Sequence, residues 1–190
     1  MPILNTTERW GFVSIGLHWL TLLLILGLAT VGLLMDELPT SPLKIQVYAL
    51  HKSFGLTVLA LTLLRLLWRL VAGAPQPVPG MPRWQQWAAS GTHGLLYALL
   101  LAMPLSGWLY NSAAGFPLKW FGLVSLPKLT GFNTEVKHYA GETHETLFYV
   151  LAGLLLLHAA AALKHHYIDR DSTLKRMLPL VSDPNKGNPP

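Results

Sequence analysis

Cysteine is absent from the 190-residue chain, and charge is scarce, with Asp, Glu, Lys and Arg together making up 12% of it. Without cysteine there is no disulfide, thiolate metal site, iron–sulfur cluster or cysteine nucleophile. Metal or redox chemistry must then rest on the eight histidines. The charged content is about half of the roughly 25% typical of soluble domains, too little to cover a water-facing surface. Charge is also missing from long stretches: residues 10–35, 84–118 and 146–163 contain none. Apolar runs of 18 or more residues can cross a hydrocarbon core about 30 Å thick. The composition excludes an ordinary globular enzyme and predicts an all-α integral membrane protein.

Four spans are expected, at about 10–35, 47–70, 84–110 and 136–164, in a single membrane domain covering 1–190 with a tail at 165–190. The first apolar run is longer than the core of a signal peptide. The loop APQPVPGMP at 74–82 cannot be helical, and Pro104 should kink the third span. The apolar connection at 113–131 is expected to form a short interfacial helix, and Trp10, Trp84, Trp87 and Trp120 suit an interfacial aromatic belt.

Basic residues set the orientation. One side holds nine of them (Arg9, Arg65, Arg69, Arg83, Lys164, Arg170, Lys175, Arg176, Lys186), and the other holds five (Lys44, Lys52, Lys119, Lys128, Lys137). Both termini are therefore expected in the cytoplasm. On the opposite side Asp36, Glu37, Glu135, Glu142 and Glu145 balance the five lysines. The basic pI of about 9.6 then reflects topology, and no nucleic-acid partner is implied.

Histidines at membrane depth are costly and mark function, and here there are five. His18 and His93 fall in the inner halves of spans 1 and 3, and His51 falls near the outer end of span 2. Span 4 carries His144 in its outer half and His158 in its inner half. Fourteen residues is close to four helical turns, so these two share a face and lie about 21 Å apart along the axis. His51 matches His144 in depth, while both His18 and His93 match His158. Facing imidazoles at one depth are what a six-coordinate b-type haem requires. Gly55, Gly141, Ala161 and Ala162 lie close to these histidines and could admit a flat macrocycle. A zinc, copper or proton transporter would usually add carboxylates or thiols at the midplane, and the spans contain none at that depth, Glu142 and Glu145 lying near the outer surface.

Four stretches carry a family resemblance: SIGLHWL at 14–20, HKSFG at 51–55, GETHET at 141–146 and LHAAAALKHHY at 157–167. With the ending LKRMLP at 174–179 they resemble the prokaryotic cytochrome b561 family over essentially the whole chain. The resemblance implies a four-helix bundle in the bacterial inner membrane with two haem b groups. His18 and His158 would ligate the inner iron, and His51 and His144 the outer one. His93 then becomes a hydrogen-bonding or quinone-binding residue, with replacement of His18 as ligand the lesser option.

The best-characterised branch of that family implies a superoxide:ubiquinone oxidoreductase, drawing electrons from periplasmic superoxide and delivering them to ubiquinone. Lys52, Lys119 and Lys137 are candidates for steering the anion. Arg65 and Arg69 are candidates for pairing haem propionates, and His165 for meeting a quinone and giving it a proton. The alternative is an electron-transfer cytochrome b subunit that shuttles electrons between quinone and a separate redox protein.

Overall fold

The computed structural model describes residues 2–179; Asp183, Lys186 and the rest of the tail at 180–190 lie outside the described residues. Four helices long and apolar enough to cross a membrane dominate it: α1 (Phe12–Leu34), α2 (Pro42–Ala72), α3 (Arg83–Ala113) and α4 (Thr134–Tyr167). At 1.5 Å per residue the 34 residues of α4 reach about 50 Å, well beyond a hydrocarbon core. The helices therefore continue past the apolar runs into both interfaces. Local chemistry fixes their starts. Ser41 caps α2 by accepting from the Lys44 amide, with Pro42 in the first turn, and Asn133 caps α4 by accepting from the Val136 amide.

The outer surface is apolar: Leu67 is 62% exposed and Leu156 73% exposed. Such a face is stable against lipid, where the helix satisfies its own backbone hydrogen bonds. Inside, Val58, Leu96, Leu99, Leu100 and Leu151 form the core, with Leu24, Ile25, Leu28, Leu147, Leu154 and Leu155 packed on it. Leu151 is seven residues from both His144 and His158, so this aliphatic layer lies between the two histidine levels. The buried hydroxyls of Thr21, Ser53 and Thr62 donate to carbonyls one turn back, which leaves no unpaired donor at these positions.

The connection after α3 corrects the expected interfacial helix. It is an antiparallel hairpin of β1 (Leu118–Trp120) and β2 (Val124–Leu126), with Trp120 opposite Val124. Pro117 and Pro127 flank the strands and break helical continuity. Phe121 and Gly122 turn the chain at positive φ, 49° and 74°, a conformation that glycine adopts without strain. The hairpin lies on α2, where Ser53 Oγ accepts from the Phe121 amide at 3.0 Å and Trp120 donates to Thr57 Oγ1 at 3.1 Å.

The opposite end gathers the first and last described residues. Arg9 donates to the Leu178 carbonyl, Trp19 to the Met177 carbonyl and Arg176 to the Gln76 carbonyl. Residues 168–179 thereby fold back from α4 across the start of α1 and the proline-rich loop. These two ends are called the hairpin end and the terminal end below.

Candidate functional site

Helix α4 packs extensively on α3, while α1 packs on α2 and α2 on α3. Yet the α4 histidines face rings from α1 and α2. His144 lies opposite His51, with ring centroids 6.5 Å apart and planes crossed at 75°, and His158 lies opposite His18, with centroids 6.3 Å apart. His93 of α3 joins the second group, 5.4 Å from His158. The structure thus holds a histidine pair toward the hairpin end and a trio toward the terminal end.

Whether these rings suit a haem can be tested on geometry. An imidazole nitrogen sits about 2 Å from its metal, and its ring centre roughly another 1 Å beyond, so two trans ligands have centroids about 6 Å apart. Both pairs match that span. The surroundings of His144 fit as well. Its Nδ1 lies 3.0 Å from the Met103 carbonyl, which can only accept, so Nδ1 carries the ring proton and Nε2 keeps the lone pair a metal needs. Ser106 Oγ lies 3.1 Å from the same Nδ1 and donates to the same carbonyl at 2.8 Å. Across from it, His51 Nδ1 is buried without a partner, the kind of atom a ligand would satisfy. A cavity of about 330 Å³ lined by Gly27, Leu28, Val31 and Phe54, among others, adjoins His51.

Two glycines that the sequence reading passed over set the ring positions. A Cβ at Gly107 would lie 3.0 Å from His144 Cε1, and one at Gly32 would lie 3.2 Å from His51 Cε1. Each imidazole is seated against a bare helix backbone. Gly107 sits three residues beyond Pro104 in a Pro-x-Ser-Gly run, the one local signal that could have flagged it. Of the glycines singled out from the sequence, Gly141 instead makes room for the Tyr110 ring, which a Cβ there would approach to 3.3 Å. A Cβ at Gly55 would meet nothing within 4 Å.

One of the two candidate arginines touches the trio. Arg65 Nη2 lies 3.3 Å from His18 Nδ1, and its guanidinium sits 5.5 Å from the Tyr97 ring centre. Arg69 stands over Trp10 at 5.9 Å. At the terminal end His165 Nδ1 lies 2.7 Å from Asp171 Oδ2 and 3.1 Å from Asp169 Oδ2, and Lys164 pairs with Asp169.

Lys52, Lys119 and Lys137 all lie at the hairpin end but make separate contacts. Lys52 donates to Asn111 Oδ1 at 3.0 Å, and Asn111, only 4% exposed, passes the link on to the Phe116 carbonyl. Lys137 stands 5.9 Å from the Tyr110 ring centre, and Lys119 is exposed on β1. Asn111 and Asp171 were not read from the sequence, because each is defined by a partner distant in the chain or placed by an irregular turn.

Comparison with known proteins agrees with this architecture. The model of the prokaryotic cytochrome b561 family matches residues 9–180. Cytochrome b561 homolog 2 of Escherichia coli K12 is 36% identical over 94% of this chain and 95% of its own length. Cytochrome b561 homolog 1 of the same organism is 35% identical, over 90% and 98%. A probable superoxide oxidase, CybB, of Yersinia pestis is 29% identical, over 90% and 97%. With four apolar helices and facing histidines at two depths, the chain belongs to the prokaryotic cytochrome b561 family and is a transmembrane b-type cytochrome of electron transport.

Proposed function

We propose that this cytochrome is a superoxide:ubiquinone oxidoreductase of the bacterial inner membrane, with its hairpin end in the periplasm and both termini in the cytoplasm. It would hold two haem b groups, one between His51 and His144 and one between His18 and His158. The observation that carries this reading is the presence of two imidazole pairs, 6.5 and 6.3 Å apart, on either side of one aliphatic layer. His93, at 5.4 Å from His158, shares the level of the inner pair; the family resemblance supports His18 as the ligand, and His93 would then hydrogen-bond nearby or meet the quinone. Bound at these pairs, haem iron supplies reversible one-electron chemistry at each depth.

The chain's own residues do the rest. Lys52, held by Asn111 beside the outer ligand, with Lys119 and Lys137 on the same end, gives an anion such as superoxide a local positive approach. The Leu151 layer keeps water from the space between the levels. Arg65 and Arg69 pair with propionates at the inner level. Arg65 Nη2 lies 3.3 Å from His18 Nδ1; ligation of iron through Nε2 would require Nδ1 to carry the proton and Arg65 to take another acceptor, such as a propionate. His165 meets ubiquinone at the cytoplasmic interface.

The similarity to a probable superoxide oxidase at 29% identity supports the direction of transfer. The higher identity to two homologs named only as cytochromes favours a second reading, a carrier between quinone and a separate redox protein. Rapid mixing of the purified, haem-loaded protein with superoxide decides between them. The oxidase reading expects fast haem reduction and quinol formation with no other protein present; slow reduction, or none, would leave the carrier.

A further inference from the structure

Beyond the inner histidines, the terminal end holds a second polar cluster that the electron path does not use. His165 is the last-turn residue of α4 two turns beyond His158. Residues 168–171 turn back so that Asp171 Oδ2 reaches His165 Nδ1 at 2.7 Å, while Asp171 Oδ1 accepts from the Thr173 amide at 2.7 Å. Both side chains are largely sheltered, His165 16% and Asp171 19% exposed. Among the described residues, the ionisable groups in contact with this pair are Asp169 and, through it, Lys164. Of the neighbouring cations, Arg170 is exposed on the turn itself, while Arg9 and Arg176 donate to the Leu178 and Gln76 carbonyls.

We infer that His165 and Asp171 form a proton-delivery dyad for quinone reduction, with Asp171 the positioning residue that fixes which ring nitrogen gives the proton. The inference rests on the quinone half of the function proposed above. Making quinol from ubiquinone takes two electrons, which two superoxide anions release on becoming dioxygen, and two protons, one on each quinone oxygen. A carboxylate at Nδ1 keeps a proton on that nitrogen, so Nε2 loses a proton to the quinone oxygen and regains one from cytoplasmic water. The dyad supplies one of the two protons, to the oxygen it faces, and the other oxygen takes its proton from water. Desolvation pushes the Asp171 carboxyl up, but the Thr173 and His165 hydrogen bonds outweigh it and hold the group below its ordinary value. It therefore stays ionised at neutral pH, opposite the imidazolium that forms on reloading. The turn itself ties Asp171 to the end of α4, its amide donating to the His165 carbonyl at 3.0 Å, and Trp19 and Arg9 anchor residues 177 and 178 beyond it.

The test uses haem-loaded protein reduced chemically, freed of reductant and mixed with a short-chain ubiquinone, so that superoxide plays no part. Asp171→Asn should slow haem reoxidation roughly ten- to a hundredfold and move the alkaline fall of that rate to lower pH; Asp171→Glu should restore most of both. In ¹⁵N-histidine spectra of the resting protein, the Nδ1 signal of His165 should match in the wild type and Asp171→Glu and be shifted in Asp171→Asn, where a neutral amide replaces the nearer carboxylate and only Asp169 remains charged beside the ring. Wild-type rates and pH profile in Asp171→Asn would overturn the dyad, as would equal slowing in both variants with no change of profile. Wild-type protein that quinone cannot reoxidise would overturn it too, together with the quinone site. Failure of superoxide to reduce the wild type, with quinone reoxidation intact, would instead defeat the proposed donor and leave the dyad standing.

Discussion

The hairpin-end pair and the terminal-end trio use the same side chain under different constraints. At the hairpin end each imidazole has one possible partner and a rigid seat, with His144 against Gly107 and bonded to the Met103 carbonyl, and His51 against Gly32. At the terminal end His158 faces both His18 and His93, and His18 also touches Arg65. The first level is specified by backbone and the second by competition among side chains. A backbone-specified site tolerates little change, whereas a side-chain-specified site can shift partners. Mutations should therefore fail more sharply at the hairpin end.

The largest effect should follow loss of a ligand. His144→Ala is expected to remove the outer haem completely and leave the inner one, halving the haem-to-protein ratio in a pyridine haemochrome measurement. Two haems in that variant would break the assignment of levels. At the other end, His18→Ala should also cost one haem, but His93→Ala should keep both. If the two results are reversed, His93 is the ligand and the side-chain competition has been read the wrong way round.

Next in size is the seat itself. Gly107→Ala places a methyl 3.0 Å from His144 Cε1, so the ring must shift, which strains its bond to Met103. We expect a partial loss of outer haem and a split or broadened outer-haem spectrum, with the inner haem unchanged. Gly153→Ala, whose Cβ would meet nothing within 4 Å, is the matched control on α4. Equal spectra for the two variants would mean that backbone approach does not distinguish the levels.

The sequence made some of this legible and hid the rest for physical reasons. Span number and histidine depth follow from the length of apolar runs and a 1.5 Å rise, both local quantities. So did the meeting in depth of His51 with His144. The neighbourhood of a glycine does not follow locally. Gly141 was singled out for being three residues from His144, yet it faces Tyr110, and Gly107 and Gly32 act through helices packed beside the histidine helices. The hairpin escaped notice because its apolar residues suit a helix or a strand equally, and the deciding signals are Pro117, Pro127 and one left-handed turn. Asp171 lies in a fold-back with no periodicity, so only the folded chain brings it to His165.

The smallest expected effect concerns Ser106, and it sharpens the contrast most finely. Its hydroxyl donates to the Met103 carbonyl and stands 3.1 Å from His144 Nδ1, so it shares the acceptor that orients the ring. In Ser106→Ala the carbonyl remains, and His144 gains sole use of it; Nδ1–H then transfers slightly more electron density to the ring, which becomes a better donor to oxidised iron. A neutral hydrogen bond is worth about 1 kcal/mol, so outer-haem content should be unchanged while its reduction potential falls modestly. Redox titration should show the inner haem unmoved. A rise in outer potential would mean that the hydroxyl supports the ring rather than competing with it, and loss of haem would mean that the seat depends on Ser106 as well as on Gly107.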